Sequence, residues 1–286
     1  MSTGLESRVI IVESEIGGGK STLLPALAAG LTRRGYRAIV VEEPVSEWKG
    51  VLEKFYADPV RWAYSFQTLV YVTRIRAIRR AFEEATATST VTSTVMAPDT
   101  STDMTTVTST NASHASHASY ASHASHASQK LVFVLERSPL TDEIFMELQR
   151  GIVSDAEMDM YEVWRREFAP LLPFDLSTAA VLYLKPDLAT CMRRVATRQR
   201  AGETESGAES GVTLVYQARL RRAHEALLQG LHADEFPRLV ARPPPYPRSA
   251  VSILSAELAE LNFRDPGAAQ DLVVGTALDM LGFSIV

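Results

Sequence analysis

Short apolar runs alternate along the chain with longer segments in which apolar residues recur every three or four positions. The runs have the length of buried β-strands, and the longer segments have the spacing of helices. This pattern predicts strands at 8–13, 38–41, 131–135, 179–184 and 251–254, and helices at 20–34, 62–85, 155–170, 187–200, 212–229 and 267–281.

The predicted strands are mostly apolar throughout, and most of them precede a predicted helix. Such strands are typical of a parallel sheet with helices on both faces, because both faces of the sheet are then buried. The pattern therefore predicts an α/β fold with a five-stranded parallel sheet. Ligands of such sheets bind at the carboxyl ends of the strands, so functional residues are expected there.

One segment, residues 86–129, departs from this alternation. It consists almost entirely of Thr, Ser, Ala and Val, and it ends in a tandem repeat of Ala, Ser and His. Because it lacks the large apolar side chains whose burial offsets the entropy of ordering a chain, we predict a disordered insert. Its four histidines could bind a metal weakly, although a solvated repeat without chemical function is the favoured interpretation. These histidines are His114, His117, His123 and His126.

Composition limits the classes of function. The chain has 286 residues, 46% of them hydrophobic, which is enough for one sizeable core, so a single domain over 1–286 is expected. The net charge of −5 argues against a nucleic-acid polymer as partner. The single cysteine, Cys191, allows neither an intrachain disulfide nor a cysteine-built zinc site. No apolar run reaches about 18 residues and no signal peptide is recognisable, so we expect no membrane span and an intracellular, cytoplasmic protein.

A glycine-rich turn lies between the first predicted strand and the first predicted helix. Its last part, Gly-Lys-Ser, matches the end of the phosphate-binding pattern G-x-x-x-x-G-K-[ST]. Glycines let successive backbone N–H groups point at an anion, and the helix N-terminus adds its positive end. Lys20 would reach the β- and γ-phosphates, and the Ser21 hydroxyl would hold Mg²⁺. The candidate phosphate-binding residues are Glu15, Ile16, Gly17, Gly18, Gly19, Lys20, Ser21 and Thr22.

The turn departs from the pattern at one position, because Ser14 stands where the first glycine is expected. If the backbone there needs a positive φ, serine would strain it by about 1–3 kcal/mol. An ordinary glycine-rich turn between a strand and a helix is the alternative to phosphate binding.

The second predicted strand ends in two glutamates and a proline, Glu42, Glu43 and Pro44. A carboxylate at the carboxyl end of a neighbouring strand would lie beside the phosphate loop. There it could accept the proton of an attacking hydroxyl, which would distinguish a kinase from an ATPase or a GTPase. The same residues are also compatible with a pair of solvated glutamates at a strand end.

Further motifs follow these two along most of the chain. They include Phe66-Gln67-Thr68 with Arg74-Ile75-Arg76-Ala77, Glu136-Arg137-Ser138, and an arginine-rich segment at 193–203. Together with the phosphate loop and Glu43-Pro44-Val45, this ordered set closely resembles the deoxynucleoside kinase family, which includes deoxycytidine, deoxyguanosine and mitochondrial-type thymidine kinases. The resemblance implies a P-loop kinase fold with an arginine-rich lid, here 193–211, and a homodimer.

The resemblance also implies a reaction. The γ-phosphate of ATP, or of another nucleoside triphosphate, would pass to the 5′-hydroxyl of a deoxynucleoside, with Mg²⁺ as the metal. Glu43 would be the general base, and Arg137 would stabilise the charge that develops beside the 5′-oxygen, with Lys20 as the third catalytic residue. Ser21 and Glu136 would order the Mg²⁺ ion.

The arginines of the lid would act on the triphosphate. Arg194, Arg198 and Arg200 match the lid of the family and would close over the transferring group, although a solvated basic helix face is the alternative. Tyr56 and Glu203 would meet the 3′-hydroxyl of the sugar.

A nucleobase slot is implied as well. Gln67 would bind the edge of the base, because its amide both donates and accepts hydrogen bonds. The rings of Trp48, Phe66 and Phe145 would enclose the base, although these rings could instead belong to the core. The implied substrate-binding residues are Trp48, Tyr56, Phe66, Gln67, Arg74, Arg137, Asp142, Phe145 and Glu203.

Two positions bear on the choice of base. Arg74 lies two turns beyond Gln67 on a predicted helix, and Asp142 follows the Glu136 motif. In the family that the chain resembles, this Arg–Asp combination accompanies kinases of deoxycytidine and deoxypurines, and Val70 would also crowd the slot. We therefore favour deoxycytidine, deoxyadenosine or deoxyguanosine over thymidine.

Two alternatives stay open. One is another enzyme of the same fold, such as a thymidine kinase or a nucleoside monophosphate kinase. The other is a catalytically weak nucleotide-binding module, favoured only by Ser14 and the long insert.

Overall fold

The computed structural model of the chain describes residues 7–94, 130–198, 211–241, 250–254 and 268–280. At residue 7 and at residues 88–94 and 268–270, only the backbone is described. Most of the serine- and histidine-rich segment and the second half of the predicted lid therefore lie outside the described residues.

A sheet of five strands forms the centre of the molecule. The strands are β1 (Ser7–Ser14), β2 (Arg37–Val41), β3 (Leu131–Glu136), β4 (Ala180–Leu184) and β5 (Val251–Leu254). Their order across the sheet is β2-β3-β1-β4-β5, and every neighbouring pair is parallel. The prediction of an α/β fold with a five-stranded parallel sheet is confirmed.

Helices cover both faces of this sheet. Within the described residues they are α1 (Lys20–Arg33), α2 (Val45–Ala57), α3 (Pro59–Thr94), α4 (Pro139–Leu148), α5 (Asp155–Phe168), α6 (Leu188–Arg198), α7 (Leu214–Gln229), α8 (Pro237–Ala241) and α9 (Ala268–Met280). The sequence pattern did not predict α2, α4 and α8. No helix among the described residues is long and apolar enough to cross a membrane.

Helix α3 is longer than predicted, because it continues to Thr94. Residues 86–94 were expected to belong to the disordered insert and are helical instead. The sequence has no strong helix breaker here, because neither glycine nor proline interrupts the chain before Pro98. The rest of the predicted insert, 95–129, lies outside the described residues.

The core follows the alternation of side chains along the strands. Val9 and Ile11 of β1 face a cluster shared with α3, α4 and α7, whereas Ile10 and Val12 face α1 and α9. A third buried cluster, rich in aromatic rings, lies between α2, α3 and α5. Because β2, β3 and β1 are parallel neighbours, their carboxyl ends bring the phosphate loop, the β2–α2 turn and the β3–α4 turn to one edge of the sheet.

Candidate active site

A cavity of about 890 Å³ opens at this edge of the sheet. Its walls come from the phosphate loop, the β2–α2 turn, α2, α3, the β3–α4 turn, α4 and α6. The predicted site residues that line it are Ile16, Gly17, Gly18, Gly19, Lys20, Ser21, Thr22, Glu43, Trp48, Phe66, Gln67, Arg74, Glu136, Arg137, Phe145, Arg194 and Arg198. Residues from distant parts of the sequence thus share one concave surface, which is typical of an active site.

Some predicted residues do not line the cavity. The side chain of Glu15 accepts hydrogen bonds from the hydroxyl of Tyr183 (2.7 Å) and from Nε of Arg221 (2.8 Å), so it lies behind the phosphate loop. Asp142 is fully buried behind the cavity wall, and the ring of Tyr56 packs 5.5 Å from that of Phe55. Arg200 and Glu203 lie outside the described residues.

Two glycines give the phosphate loop its shape. Gly17 and Gly19 have φ angles of 79° and 96°, in the region that favours glycine. A Cβ atom on Gly17 would also lie 2.5 Å from the carbonyl oxygen of Cys191, so a larger residue has no room there. Helix α1 begins directly afterwards at Lys20, which places its positive end at the loop.

Ser14 does not strain the backbone, contrary to the concern raised by the sequence. It is the last residue of β1, and the described non-glycine residues with positive φ are Arg137 and His232. Its hydroxyl instead occupies space beside Gly18, where an added Cβ would lie 1.7 Å from Ser14 Oγ. The bulk of Ser14 therefore makes a glycine necessary at position 18.

Lys20 is the buried cation of the loop. Its Nζ lies 3.3 Å from the carbonyl oxygen of Glu15, and 6% of the residue is exposed. Burial, assisted by the charge of Arg137, lowers the pKa of Lys20 to about 8. A triphosphate bound at the loop would favour the charged form of this lysine.

Glu43 lies between two guanidinium groups. Its Oε1 is 3.0 Å from Nη2 of Arg74 and 3.2 Å from Nε of Arg137. Burial would raise the pKa of Glu43, but the charges of Arg137 and Arg74, together with the Lys20 ammonium, outweigh it and lower this pKa to about 2. The carboxylate is therefore ionised at neutral pH, which is the form that a proton acceptor requires.

Arg74 is held from behind by Asp142. Its Nε lies 2.9 Å from Oδ2 and its Nη2 lies 3.1 Å from Oδ1 of Asp142, while Nη1 donates to the carbonyl oxygen of Glu136 at 3.0 Å. A bidentate pair of this kind fixes both the position and the plane of the guanidinium. Arg74 thus presents a rigid edge to the cavity and contacts Glu43 at the same time.

Arg137 has an unusual backbone. Its φ of 63° is left-handed, which is disfavoured for every residue except glycine. Its Cζ lies 4.8 Å from the centre of the Phe145 ring, and its buried Nη1 has no hydrogen-bond partner among the described residues. Arg137 thus combines a strained backbone with an unused hydrogen-bond donor beside Glu43. These properties fit a residue that binds an oxygen of a ligand.

The deeper part of the cavity is aromatic. The rings of Trp48 and Phe66 meet edge to face at 6.4 Å, and Phe66 stacks on Phe55 at 5.0 Å. Nε1 of Trp48 donates a hydrogen bond of 2.8 Å to the Thr73 hydroxyl, which fixes the plane of the indole. The buried amide of Gln67 lines the same space, so it can meet the edge of a flat ring.

The sequence analysis did not identify three residues that line the cavity, two apolar ones on α2 and a polar one on α6. Leu52 and Val45 lie on α2, and Thr197 lies on α6 beside Arg198. Leu52 is one helical turn beyond Trp48 and would have been found by helical spacing if α2 had been predicted. Helix α2 lacked a start signal, since Pro44 provides no side-chain cap.

Ser21 and Glu136 form the polar mouth of the cavity, where the Ser21 hydroxyl donates a hydrogen bond of 3.0 Å to Glu136 Oε1. Mg²⁺ in phosphate-transfer sites is bound by one or two protein oxygens together with phosphates and waters. An adjacent hydroxyl and carboxylate beside the phosphate loop fit this donor set. No cluster of three or more histidine, cysteine, aspartate or glutamate residues that could hold a metal occurs in the described part of the chain.

Helix α6 brings positive charge to the phosphate loop itself. Arg193, Arg194 and Arg198 line the cavity, and a Cβ atom on Gly19 would lie 3.2 Å from Nη1 of Arg194. The helix ends at Arg198, and the remainder of the predicted lid begins beyond it. The described lid residues thus lie where a triphosphate on the loop would meet them.

Comparisons with known proteins agree on one type of enzyme. A family model described as "Deoxynucleoside kinase" matches residues 10–101 and 110–265. A probable deoxycytidine kinase of fowlpox virus is 27% identical over 235 residues, 79% of this chain and 74% of that protein. Deoxycytidine kinase 2 of Gallus gallus is 23% identical over 248 residues, 77% of this chain and 74% of that protein. The thymidine kinase of Ictalurid herpesvirus 1 is 45% identical over only 71 residues, 23% of this chain and 30% of that protein.

Proposed function

Because the chain belongs to the deoxynucleoside kinase family, we propose that it transfers the γ-phosphate of ATP to the 5′-hydroxyl of a deoxynucleoside. One observation carries this proposal: the ionised carboxylate of Glu43 lines the same cavity as the phosphate loop at 17–22. A sugar hydroxyl and a terminal phosphate could therefore meet between an acceptor for the proton and a cradle for the phosphate.

The reaction would be an in-line displacement. The 5′-oxygen forms a bond to the γ-phosphorus while the bond from this phosphorus to the β,γ-bridging oxygen breaks, and the hydroxyl proton passes to Glu43. Lys20 and Arg137 hold the transferring group and neutralise charge on its oxygens. The products are a deoxynucleoside 5′-monophosphate and ADP.

Mg²⁺ would bind at Ser21 and Glu136. When bound, this ion neutralises charge on the β- and γ-phosphates. The arginines of α6, with Arg200 beyond the described residues, would close over the triphosphate and exclude water. Tyr56 and Glu203 stay predicted contacts of the 3′-hydroxyl.

We propose deoxycytidine, deoxyadenosine or deoxyguanosine as the substrate. The rigid edge of Arg74, held by Asp142, supports this choice, because a fixed guanidinium leaves little room for the methyl group of thymine. Gln67 would complete the recognition of the base edge. The overall similarity to deoxycytidine kinases supports the same choice.

Thymidine is the second candidate substrate. Over a stretch of 71 residues the chain is 45% identical to a thymidine kinase, and this local similarity favours thymidine. Arg74 and Asp142 are the observation against it.

Initial rates with each of the four deoxynucleosides test the proposal. Release of the nucleoside diphosphate and the mass of the nucleotide product are measured with ATP, then with GTP, CTP and UTP as donors. We expect monophosphate to form fastest with deoxycytidine or a deoxypurine nucleoside. ADP release with none of the four nucleosides would point to a nucleotide-binding module, and thymidine as the best substrate would reverse the choice of base.

We also propose that two copies of the chain form a homodimer through α5. Met160, Val163 and Trp164 lie on one side of this helix and are 52%, 58% and 41% exposed. Exposed apolar side chains at such spacing are typical of a contact surface. Light scattering of the parent should give the mass of a dimer, and Trp164→Glu should give that of a monomer.

A further inference from the structure

The turn that carries Arg137 needs to be held in place. It connects β3 to α4, and Arg137 occupies it with a φ of 63°. A left-handed conformation is unfavourable for a residue with a side chain, so the surrounding contacts must compensate for it.

These contacts converge on Glu13, a residue that no motif singled out. Glu13 belongs to β1, is 3% exposed and does not line the cavity. Its Oε1 accepts a hydrogen bond of 3.1 Å from the hydroxyl of Ser138 and a second one from the hydroxyl of Thr141. The backbone N–H of Arg137 donates to the carbonyl oxygen of Val12, at 3.0 Å, so β1 holds the turn by both backbone and side chain.

The two hydroxyls that meet Glu13 also start α4. Ser138 and Thr141 form the capping box of this helix, and the N–H of Ser138 donates to Thr141 Oγ1 at 3.3 Å. Ser138 is the residue directly after Arg137. By holding Ser138, Glu13 therefore fixes the path of the backbone that follows Arg137.

Burying a carboxylate costs free energy, because the group loses its contact with water. The Oε2 of Glu13 has no hydrogen-bond partner among the described residues and lies 4.0 Å from Nε2 of buried His224. An apolar side chain of similar volume is often neutral or favourable at such a site, so the carboxylate is not explained by stability alone.

We propose that Glu13 is a positioning residue, whose carboxylate holds the β3–α4 turn in the geometry in which Arg137 meets Glu43. The inference rests on the proposed function, since it assigns to Glu13 an effect on turnover that is exerted through Arg137.

Kinetics of Glu13→Ala and Glu13→Gln give the first test. Misplacement of Arg137 should lower kcat of Glu13→Ala by at least about tenfold, while KM for ATP stays within about twofold of that of the parent. Glutamine retains an oxygen for both hydroxyls, so Glu13→Gln should recover most of kcat. An unchanged kcat in Glu13→Ala would overturn the proposal.

Ser154→Ala is the matched control. Ser154 and Glu157 form the capping box of α5, which is of the same type and lies away from the cavity. Its loss should lower the melting temperature without lowering kcat, which separates weakened helix capping from the effect proposed for Glu13.

A double-mutant cycle tests whether Glu13 acts through Arg137. In an Arg137→Ala background, Glu13→Ala should cause no further loss of kcat, because the residue that it positions is already absent. A multiplicative loss would show that Glu13 acts independently of Arg137, and the proposal would be wrong.

Hydrogen exchange supplies a measurement that does not depend on activity. Peptides covering 136–148 should exchange faster in Glu13→Ala than in the parent, and peptides covering 154–168 should not change. If Glu13→Ala does not fold, Thr141→Val removes one donor, keeps the shape of the side chain, and should show the same pattern. Failure of the parent to phosphorylate any deoxynucleoside would defeat the proposed function, whereas unchanged exchange at 136–148 would defeat this inference.

Discussion

Glu43 and Arg74 form a partly buried ion pair in which Nη2 of the arginine lies 3.0 Å from Oε1 of the glutamate. The same guanidinium is bound on its other side by Asp142. Glu43, the proposed general base, is therefore connected to Arg74 and Asp142, the pair proposed to select the nucleobase. A change at the edge of the nucleobase slot is expected to affect turnover as well as selectivity.

Glu43→Gln should lower kcat by roughly 10²–10⁴ and leave KM for ATP nearly unchanged, because it removes the proton acceptor and keeps the shape of the site. Steady-state kinetics with the best deoxynucleoside measure both constants. Glu42→Gln is the matched control, since the neighbouring glutamate is exposed and should tolerate the change. A Glu43→Gln protein as fast as the parent would remove Glu43 from the role of base.

The double variant Arg74→Met with Asp142→Ala should raise kcat/KM for thymidine relative to deoxycytidine. Removing both partners opens the slot and leaves no buried charge unpaired. The ratio is the proper measure, because loss of the Arg74 contact to Glu43 lowers turnover with every substrate. An unchanged ratio would place base selection elsewhere.

The two single variants provide the comparison for that experiment. Arg74→Met alone leaves Asp142 buried without its partner, and Asp142→Ala alone leaves Arg74 partly unpaired. Each should be less stable than the double variant. In Arg74→Met, where the Asp142 carboxylate is left unpaired, the free energy of unfolding should be about 3–5 kcal/mol lower than in the parent. Urea denaturation of the three proteins measures this difference.

Arg137→Gly and Arg137→Ala should both lose activity, but they should differ in stability. Glycine adopts a φ of 63° freely, whereas alanine does not, so Arg137→Gly should be the more stable by about 1 kcal/mol. Arg80, an exposed residue within α3, is the control of opposite sign, since Arg80→Gly should be less stable than Arg80→Ala by about 1 kcal/mol. Equal stability of the two Arg137 variants would mean that the turn relaxes when the side chain is removed.

Stability should fall as the pH is lowered from 6.5 towards 4, because of His224. Burial, with a smaller contribution from the charge of Arg137, lowers the pKa of this histidine to about 4, against 6.5 in an unfolded chain. Between these values the unfolded chain binds a proton that the folded chain does not, so stability present above pH 6.5 is lost as the pH falls. At about 1.4 kcal/mol per pH unit, the full loss is about 3 kcal/mol.

Urea denaturation at pH 7.5 and pH 5 tests this dependence in the parent and in His224→Gln. The variant should lose less stability than the parent over the same interval. Identical pH dependence in the parent and in His224→Gln would contradict the assignment.

Local patterns were sufficient for the framework of the fold. The five strands could be predicted because each is an apolar run, and α1, α3 and α7 because their apolar residues recur at helical spacing. Helices α2, α4 and α8 escaped these patterns; α8 has only five residues, and α2 has no side-chain cap at Pro44. The predicted end of α3 was wrong because composition alone does not terminate a helix.

The phosphate loop could be predicted from local sequence, since its glycines, Lys20 and Ser21 are contiguous and belong to one strand, one turn and one helix. The folded chain was needed to show that Ser14 is unstrained. It was also needed to show that Asp142 binds Arg74 instead of lining the cavity, and that Glu13 contacts Ser138 in the turn of Arg137. These relationships join residues that are 68 or 125 positions apart in the chain. They arise from the parallel order β2-β3-β1, which places three strand ends side by side and which no local pattern of residues specifies.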